Sequence, residues 1–199
     1  MPRRGYGINE LRERLANEAA RLISEHGIQD YGLAKRKAAS RFGVRDVGAL
    51  PANIEIEERV IEWNALFGPK EYKKQLVELR SIAAYAMKLL DEFEPRLVGA
   101  VLTGAITANS SIEIHLFTDA PEEVAIKLDD CQISYRNCHR RYRYAKRCNS
   151  LIPGFRFTYK DEQIDGLVFP EKGLRQAPIS PIDGRPMPRA SLGKILGLI

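Results

Sequence analysis

Three cysteines and one histidine lie close together in the segment CQISYRNCHRRYRYAKRC and supply the side-chain types that bind zinc. They are Cys131, Cys138, Cys148 and His139. Zinc-finger sites pair their ligands at spacings such as Cys-x₂-Cys and His-x₃-His, and neither spacing occurs in this segment. We therefore do not expect a zinc site. The odd number of cysteines favours reduced thiols in a reducing compartment over a disulfide framework.

The same segment carries six basic side chains interleaved with tyrosines, a combination suited to phosphates and bases. In an extended strand, the sequence RYRY places its arginines on one face and its tyrosines on the other. This pattern predicts a docking site for nucleic acid or for a nucleoside triphosphate. An equally good interpretation is a solvated edge strand whose positive charge prevents pairing with another sheet. The six basic residues are Arg136, Arg140, Arg141, Arg143, Lys146 and Arg147.

A second group of polar side chains alternates with apolar ones in the segment SIEIHLF. In a strand, Ile112, Ile114 and Leu116 would face a core, and Glu113 and His115 would face the other side. The simpler interpretation is an exposed polar face, on which His115 is a hydrogen-bonded surface histidine. The alternative is a metal site, to which Glu113 contributes a carboxylate and His115 an imidazole suited to a softer metal.

Common signatures of nucleotide-dependent and hydrolytic enzymes are absent. Neither GxxxxGK[ST] nor GxGxxG occurs, and no serine hydrolase motif is present, which argues against a P-loop ATPase, a Rossmann oxidoreductase and a hydrolase of that type. The segment AARLISEHGIQDYGLAKRKAASRFGV has the order helix, glycine turn and basic helix of a helix-turn-helix DNA reader. A plain helical hairpin explains it better, because recognition helices usually carry more polar side chains that reach base edges.

Apolar residues recur at helical spacing through the first half of the chain. The periodicity predicts helices over about 8–26, 31–42, 54–67 and 70–93, with Asp30 as the N-cap of the second. Gly27 and Gly43 supply the stop signals after the first two helices. We therefore expect an N-terminal helical region over residues 1–69, followed by a long helix that leads into a second domain.

The pattern changes at Arg96 to short β-rich segments. RLVGAVL and SIEIHLF predict two strands, and ISY, RRYRY, GFRFTYK and QIDGLVF predict those that follow. Between the two groups, DAPEEVAIKLDD predicts a short crossover helix, and DE connects the last two strands. These elements predict an α+β or α/β fold with a small mixed sheet over residues 70–170. Residues 171–199 form a proline-rich tail that ends in a short helix from about Ala190.

This order of elements resembles the nucleotidyltransferase superfamily with the DNA polymerase beta-like palm. In that family a long helix feeds a strand, the turn after that strand is Gly-Ser, and the second strand begins Ser-Asp-x-Asp. A later strand carries a third carboxylate. Together the acids hold Mg²⁺ ions that bring a nucleotide's phosphates to the attacking hydroxyl. The chain is also similar to a group of bacterial proteins described as predicted nucleotidyltransferases, with which it shares HLF and a tail of the form RQAPxSPxDGRPM.

The resemblance implies a role for several residues of LTGAITANSSIEIHLFTD. Gly104 and Ala105 take the place of Gly-Ser, and Asp165 in QIDGLVF takes that of the third acid. Ser111 stands where the first acid belongs, and Ala105 lacks the serine hydroxyl, so the motif is degenerate. Nucleotide contacts are expected from Gly104, Ala105, Ser110 and Ser111, catalytic roles from Glu113 and Asp165, and metal ligation from Glu113, His115 and Asp165.

Two functions are therefore expected. The first is a nucleotidyltransferase-like protein that binds a nucleotide and Mg²⁺ and transfers a nucleotidyl group, weakly or not at all because the first acid is missing. The second is a non-catalytic module that binds RNA or DNA through the arginine-tyrosine strand and the basic second helix. In that helix, Lys35, Arg36, Lys37 and Arg41 lie largely outward.

The composition is that of a globular protein. Of the 199 residues, 44% are hydrophobic and 29% are charged, so the chain can bury a core and is not a disordered tail. A net charge of +5 permits a polyanionic partner without requiring one. No apolar run approaches the roughly 18–20 residues of a membrane span, and no apolar secretory signal follows the N-terminus. We expect a cytoplasmic protein with no membrane partner.

Overall fold

The computed structural model describes residues 4–44, 48, 50–68, 72–145 and 148–199. These residues form seven α-helices and a five-stranded mixed sheet, with the helices concentrated at the N-terminus, which confirms the expected α+β class. None of the described helices is both long and apolar enough to cross a membrane. The chain divides into two compact units, a helical unit (1–73, 105–110 and 181–183) and a sheet unit (74–104, 111–180 and 184–199).

Three helices build the helical unit: α1 (Arg4–His26), α2 (Tyr31–Arg41) and α3 (Asn53–Phe67). Asp30 is the N-cap of α2, as predicted, and its side chain accepts hydrogen bonds from the N–H groups of Gly32 and Leu33. An ion pair between Arg12 and Glu55 joins α1 to α3 at 2.7 Å. The core contains many alanines, whose small side chains let the helices approach closely: Leu15, Ala16, Ala19, Ala20, Ile23, Ala34, Ala38, Ile56 and Val60 are buried.

The remaining elements follow in chain order from α4, which begins at the end of the helical unit. They are α4 (Tyr72–Leu89), β1 (Arg96–Val98), α5 (Gly99–Thr103), β2 (Ile112–Phe117), α6 (Pro121–Asp130), β3 (Tyr135–Ala145), β4 (Cys148–Tyr159), β5 (Glu162–Phe169) and α7 (Leu192–Leu196). The helix predicted over 70–93 ends at Leu89, and a 3₁₀ turn covers Asp91–Phe93. Its predicted start at Lys70 lies outside the described residues.

The strand order in the sheet is β1-β2-β5-β4-β3. Only β2 and β5 are parallel, and the crossover between them includes the predicted helix α6. The other three pairs are antiparallel. Ile112, Ile114 and Leu116 of β2 are fully buried, as expected for the core-facing positions of a strand. The segments ISY and RRYRY, predicted as separate strands, fall within or beside the single long strand β3.

The strand predicted over RLVGAVL is wrong in its second half. β1 pairs with β2 but stops at Val98, and the next five residues form helix α5. The change occurs at Gly99, whose φ of +69° lies in the left-handed region that ends an extended strand and favours glycine. The β4–β5 turn is also displaced by one residue from the predicted DE, because Lys160 and Asp161 form it, both with positive φ.

The C-terminal tail is ordered and packs on the sheet unit. Ala190 and Leu97 exchange two backbone hydrogen bonds of 2.9 Å, so the tail adds an isolated bridge beside β1. At the opposite edge of the sheet, the N–H of Ile179 donates to the carbonyl of Arg143 in β3. The predicted terminal helix is present as α7, with Ile195 buried.

Candidate functional site

A row of four charged residues crosses four adjacent strands of the sheet. Glu113 of β2 is in register with Asp165 of β5, Asp165 with Arg156 of β4, and Arg156 with Arg136 of β3. Because side chains directly opposite one another share a face of a sheet, all four belong to the same face. We call it the acid face. The two acids that the resemblance singled out are thus neighbours on one face.

Asp165 is buried and held by two arginines. Its carboxylate binds Arg156 through two hydrogen bonds, from Nε to Oδ1 at 2.7 Å and from Nη2 to Oδ2 at 3.0 Å. Arg140 of β3 adds a third, from Nη2 to Oδ2 at 3.3 Å. The planar guanidinium of Arg156 matches the carboxylate in the two-pronged geometry that gives strong and specific pairs.

Glu113 is bound by the same Arg140 and by a tyrosine. Nη1 of Arg140 donates to Oε2 of Glu113, and the hydroxyl of Tyr142 donates to Oε1. Arg140 therefore bridges the two acids with one guanidinium. Each of the four carboxylate oxygens of Glu113 and Asp165 accepts at least one hydrogen bond from an arginine or from Tyr142.

The hydrogen-bonded cluster continues through His115 to the C-terminal tail. His115 is fully buried; its Nδ1 accepts a hydrogen bond of 3.1 Å from Nε of Arg189, and its Nε2 lies 3.0 Å from the Tyr142 hydroxyl. With Nδ1 accepting, the proton of a neutral imidazole is on Nε2 and points to Tyr142. Arg189 lies over the rings of Phe117 and Phe169, with its guanidinium carbon 5.0 and 5.2 Å from their centroids.

Burial and neighbouring charges fix the protonation states of this cluster. Burial opposes ionisation of Glu113, but the neighbouring His115, whose Nε2 lies 3.5 Å from Oε1 of Glu113, and the charge of Arg140 outweigh it and lower the carboxyl pKa. Burial lowers the pKa of His115, and the positive charge of Arg189 lowers it further despite Glu113. Burial and the charge of Glu113 raise the pKa of Tyr142. At neutral pH the site therefore holds a carboxylate, a neutral imidazole and a phenol.

These residues do not fit a Mg²⁺ ion as they are arranged. Mg²⁺ binds through oxygen ligands in near-ideal octahedral geometry and keeps several waters. Both carboxylates already accept hydrogen bonds on every oxygen, and both ring nitrogens of His115 have partners. Within the described parts of the chain, no group of three or more histidine, cysteine or acidic side chains has an arrangement that could hold a metal ion.

The structure places a different pair in the turn after the first strand. That turn is Gly99-Ala100, and a Cβ added to Gly99 would lie 3.7 Å from Oε2 of Glu113. Gly104, which the resemblance assigned to this position, ends α5 five residues later, and its N–H donates to the carbonyl of Ala100 at 2.8 Å. The glycine turn therefore lies beside the acid face, but it is not the turn expected from the sequence.

The other three residues expected to contact a nucleotide have structural surroundings. Ala105 is 5% exposed and packs in the apolar core of the helical unit. Ser110 closes a turn in the same unit, where its hydroxyl accepts a hydrogen bond of 2.8 Å from the N–H of Thr107. Ser111 is half-buried and directly precedes β2 in the sheet unit.

The predicted basic patch is divided between the two faces of β3. Arg136 and Arg140 lie on the acid face, whereas Arg141 and Arg143 lie on the opposite face, as strand alternation requires. Arg136, Arg141 and Arg143 are exposed, and none of them forms an ion pair with another described residue. Lys146 and Arg147 lie outside the described residues. The cysteines are unpaired thiols, two half-buried and Cys148 exposed.

The expectation that Glu113 and His115 lie on an exposed face is wrong, because Tyr142, Phe169 and Arg189 cover them. Sequence reasoning missed the part that Arg156 and Arg189 play. The alternation in GFRFTYK could have identified Arg156, since it places the arginine on one face of the strand and the two phenylalanines on the other. No local pattern in the proline-rich tail singles out Arg189.

No protein-family model matches the chain, and no curated protein matches it either.

Proposed function

We propose that this chain is a nucleotidyltransferase-like domain that binds nucleic acid and does not transfer a nucleotidyl group. The order of elements supports the first part: α4 leads into β1, a glycine turn follows, and β2 carries an acid. β5 then brings Asp165 into register with Glu113. Two acids on adjacent parallel strands are what a palm of this kind would need.

The proposal that the site is not catalytic rests on the hydrogen bonds that occupy every carboxylate oxygen of Glu113 and Asp165. Metal-dependent nucleotidyl transfer needs carboxylate oxygens that are free to bind metal. Here Arg140 and Arg156 neutralise both acids within the chain, and Tyr142 occupies the remaining oxygen of Glu113. Ser111, at the position of the first acid, supplies no carboxylate.

The exposed arginines of β3 carry the proposal of nucleic-acid binding. Arg136, Arg141 and Arg143 are in solvent on an edge strand and have no acidic partner among the described residues. In the helical unit, Arg36 and Lys37 of α2 are a second pair of exposed cations. Phosphate contacts from such side chains give affinity without sequence specificity.

The test is binding of fluorescently labelled single-stranded and duplex oligonucleotides, measured by anisotropy across a salt series from about 50 to 200 mM. We expect the double variant R141A/R143A to bind more weakly and to reduce the salt slope by about one to two units, because each lost phosphate contact removes about 0.7–0.9. The matched control, R59A/K127A, removes two cations that are paired with Glu62 and Glu92 and should leave the slope unchanged.

An equal slope in R141A/R143A and the wild type would refute the binding surface. The catalytic half of the proposal is tested separately, by incubating the protein with labelled nucleoside triphosphates, Mg²⁺ and total RNA. We expect no labelled product. A product that disappears in Glu113→Gln would establish nucleotidyl transfer and overturn this half of the proposal.

A further inference from the structure

One guanidinium lies between the two buried acids of the sheet unit. Arg140 donates through Nη1 to Glu113 and through Nη2 to Asp165, so it contacts both carboxylates at once. Of the two acids, Arg156 contacts only Asp165. The two acids and the two arginines form a charge-balanced group of four. Within it, Arg140 is the cation that the two acids share.

The side chain of the shared cation is more exposed to solvent than the side chains of the two acids. The side chains of Glu113 and Asp165 are 11% and 2% exposed, whereas that of Arg140 is 40% exposed. Arg140 reaches the acids from the edge strand β3, two strands away from β5. Two fixed, buried carboxylates with a more exposed cation between them have the chemistry of an oxygen-ligand cation site.

We propose that Arg140 is a built-in counter-cation that takes the place of a divalent metal ion between Glu113 and Asp165. Without the guanidinium, Oε2 of Glu113 would lose its donor, and Oδ2 of Asp165 would lose one of two. Two carboxylates, with water completing the coordination shell, suit Mg²⁺ or Mn²⁺. In the intact chain the guanidinium therefore occupies the place between the two acids, and a divalent cation does not fit there.

The experiment measures Mn²⁺ binding by the loss of the free-ion signal in electron paramagnetic resonance, using the full chain. We expect no binding at this site in the wild type or in Arg140→Lys, which keeps a cation there. Arg140→Ala should bind one Mn²⁺ per chain weakly, with a dissociation constant on the order of 10⁻⁴–10⁻³ M, the range of weak oxygen-ligand Ca²⁺ sites. The double variant R140A/E113Q should lose it.

Arg136→Ala is the matched control, because it removes one arginine from the same face that contacts neither acid. We expect no Mn²⁺ binding by this variant. Arg140→Ser provides a second opening of the site, and melting of both opened variants with and without Mn²⁺ shows whether they fold. If they fold only with Mn²⁺, the inference stands.

Three results would overturn the inference. One is Mn²⁺ binding by the wild type that Glu113→Gln abolishes, since Arg140 would then not close the site. Another is folded Arg140→Ala and Arg140→Ser protein that binds no Mn²⁺, and the third is failure of both variants to fold even with the ion. None of these results depends on nucleic-acid binding, so this inference and the proposed binding surface on β3 can fail separately.

Discussion

Replacing Asp165 with asparagine removes one negative charge from the buried acid pair and leaves two arginines with a weaker acceptor. Asp165 accepts three hydrogen bonds from guanidinium groups, at 2.7, 3.0 and 3.3 Å. Asparagine keeps one carbonyl acceptor but presents an NH₂ group to the other donors. The substitution changes the side-chain volume very little, so any loss of stability arises from charge and hydrogen bonding.

The expected loss lies between the values for buried and exposed ion pairs. Breaking a fully buried pair costs about 3–5 kcal/mol, and breaking an exposed pair costs about 0–1 kcal/mol. Asp165 is almost completely buried, but Arg140 and Arg156 are 40% and 46% exposed, so water can solvate them after the change. We therefore expect Asp165→Asn to lower the free energy of unfolding by about 2 kcal/mol, close to one charge-assisted hydrogen bond.

Urea unfolding followed by circular dichroism measures this difference. The transition midpoint should fall while its slope with urea stays constant, because the surface exposed on unfolding does not change. Glu62→Gln is the control, since Glu62 forms an exposed pair with Arg59 and its loss should cost less than about 1 kcal/mol. If Asp165→Asn is no more destabilising than Glu62→Gln, the ion pairs of Asp165 with Arg140 and Arg156 do not stabilise the sheet unit.

Two further predictions concern residues next to the acids. Burial and Arg189 lower the pKa of His115 in the folded chain. His115 is therefore protonated at a higher pH in the unfolded chain than in the folded chain. As the pH falls below about 6.5, unfolding free energy should drop by about 1.4 kcal/mol per pH unit until the folded pKa is reached. The excess slope should vanish in His115→Gln, and parallel pH profiles would contradict the assignment. Gly99→Ala should cost about 1–2 kcal/mol in urea unfolding because of its positive φ. Gly193 lies in helix α7 and a Cβ added there would meet nothing within 4 Å, so Gly193→Ala should be neutral or slightly stabilising; equal losses in both variants would argue against strain at Gly99.

The fold was predictable from the sequence where local patterns decide the structure. Periodicity located the helices of the first half of the chain, alternation located β2, and β-rich composition located β5. The extent of β1 was not predictable in this way, since RLVGAVL contains no polar residue after Arg96 and shows no alternation that would mark an end of the strand. Only the conformation of Gly99, which the surrounding structure imposes, decides that the chain turns there into α5.

The candidate site was predictable in its acids but not in their partners. Glu113 and Asp165 could be proposed because the resemblance to a nucleotidyltransferase palm assigns acids to the two segments that contain them. Their neutralisation by Arg140 and Arg156 depends on the order in which β3, β4 and β5 pair, and single-strand patterns do not contain that order. Alternation within RRYRY does separate Arg140 from Arg141, but it does not say which face meets the acids.

The order of the strands has a consequence for how the chain folds. β3, β4 and β5 follow one another as an antiparallel meander, and Arg156 and Asp165 are only nine residues apart in sequence. Contacts of such short sequence separation require little loop closure, whereas the parallel pairing of β2 with β5 must close a much longer loop. If local pairing comes first, Asp165 already has its arginine when Glu113 arrives. The two carboxylates then do not repel each other when β2 pairs with β5, because Arg156 has already neutralised Asp165.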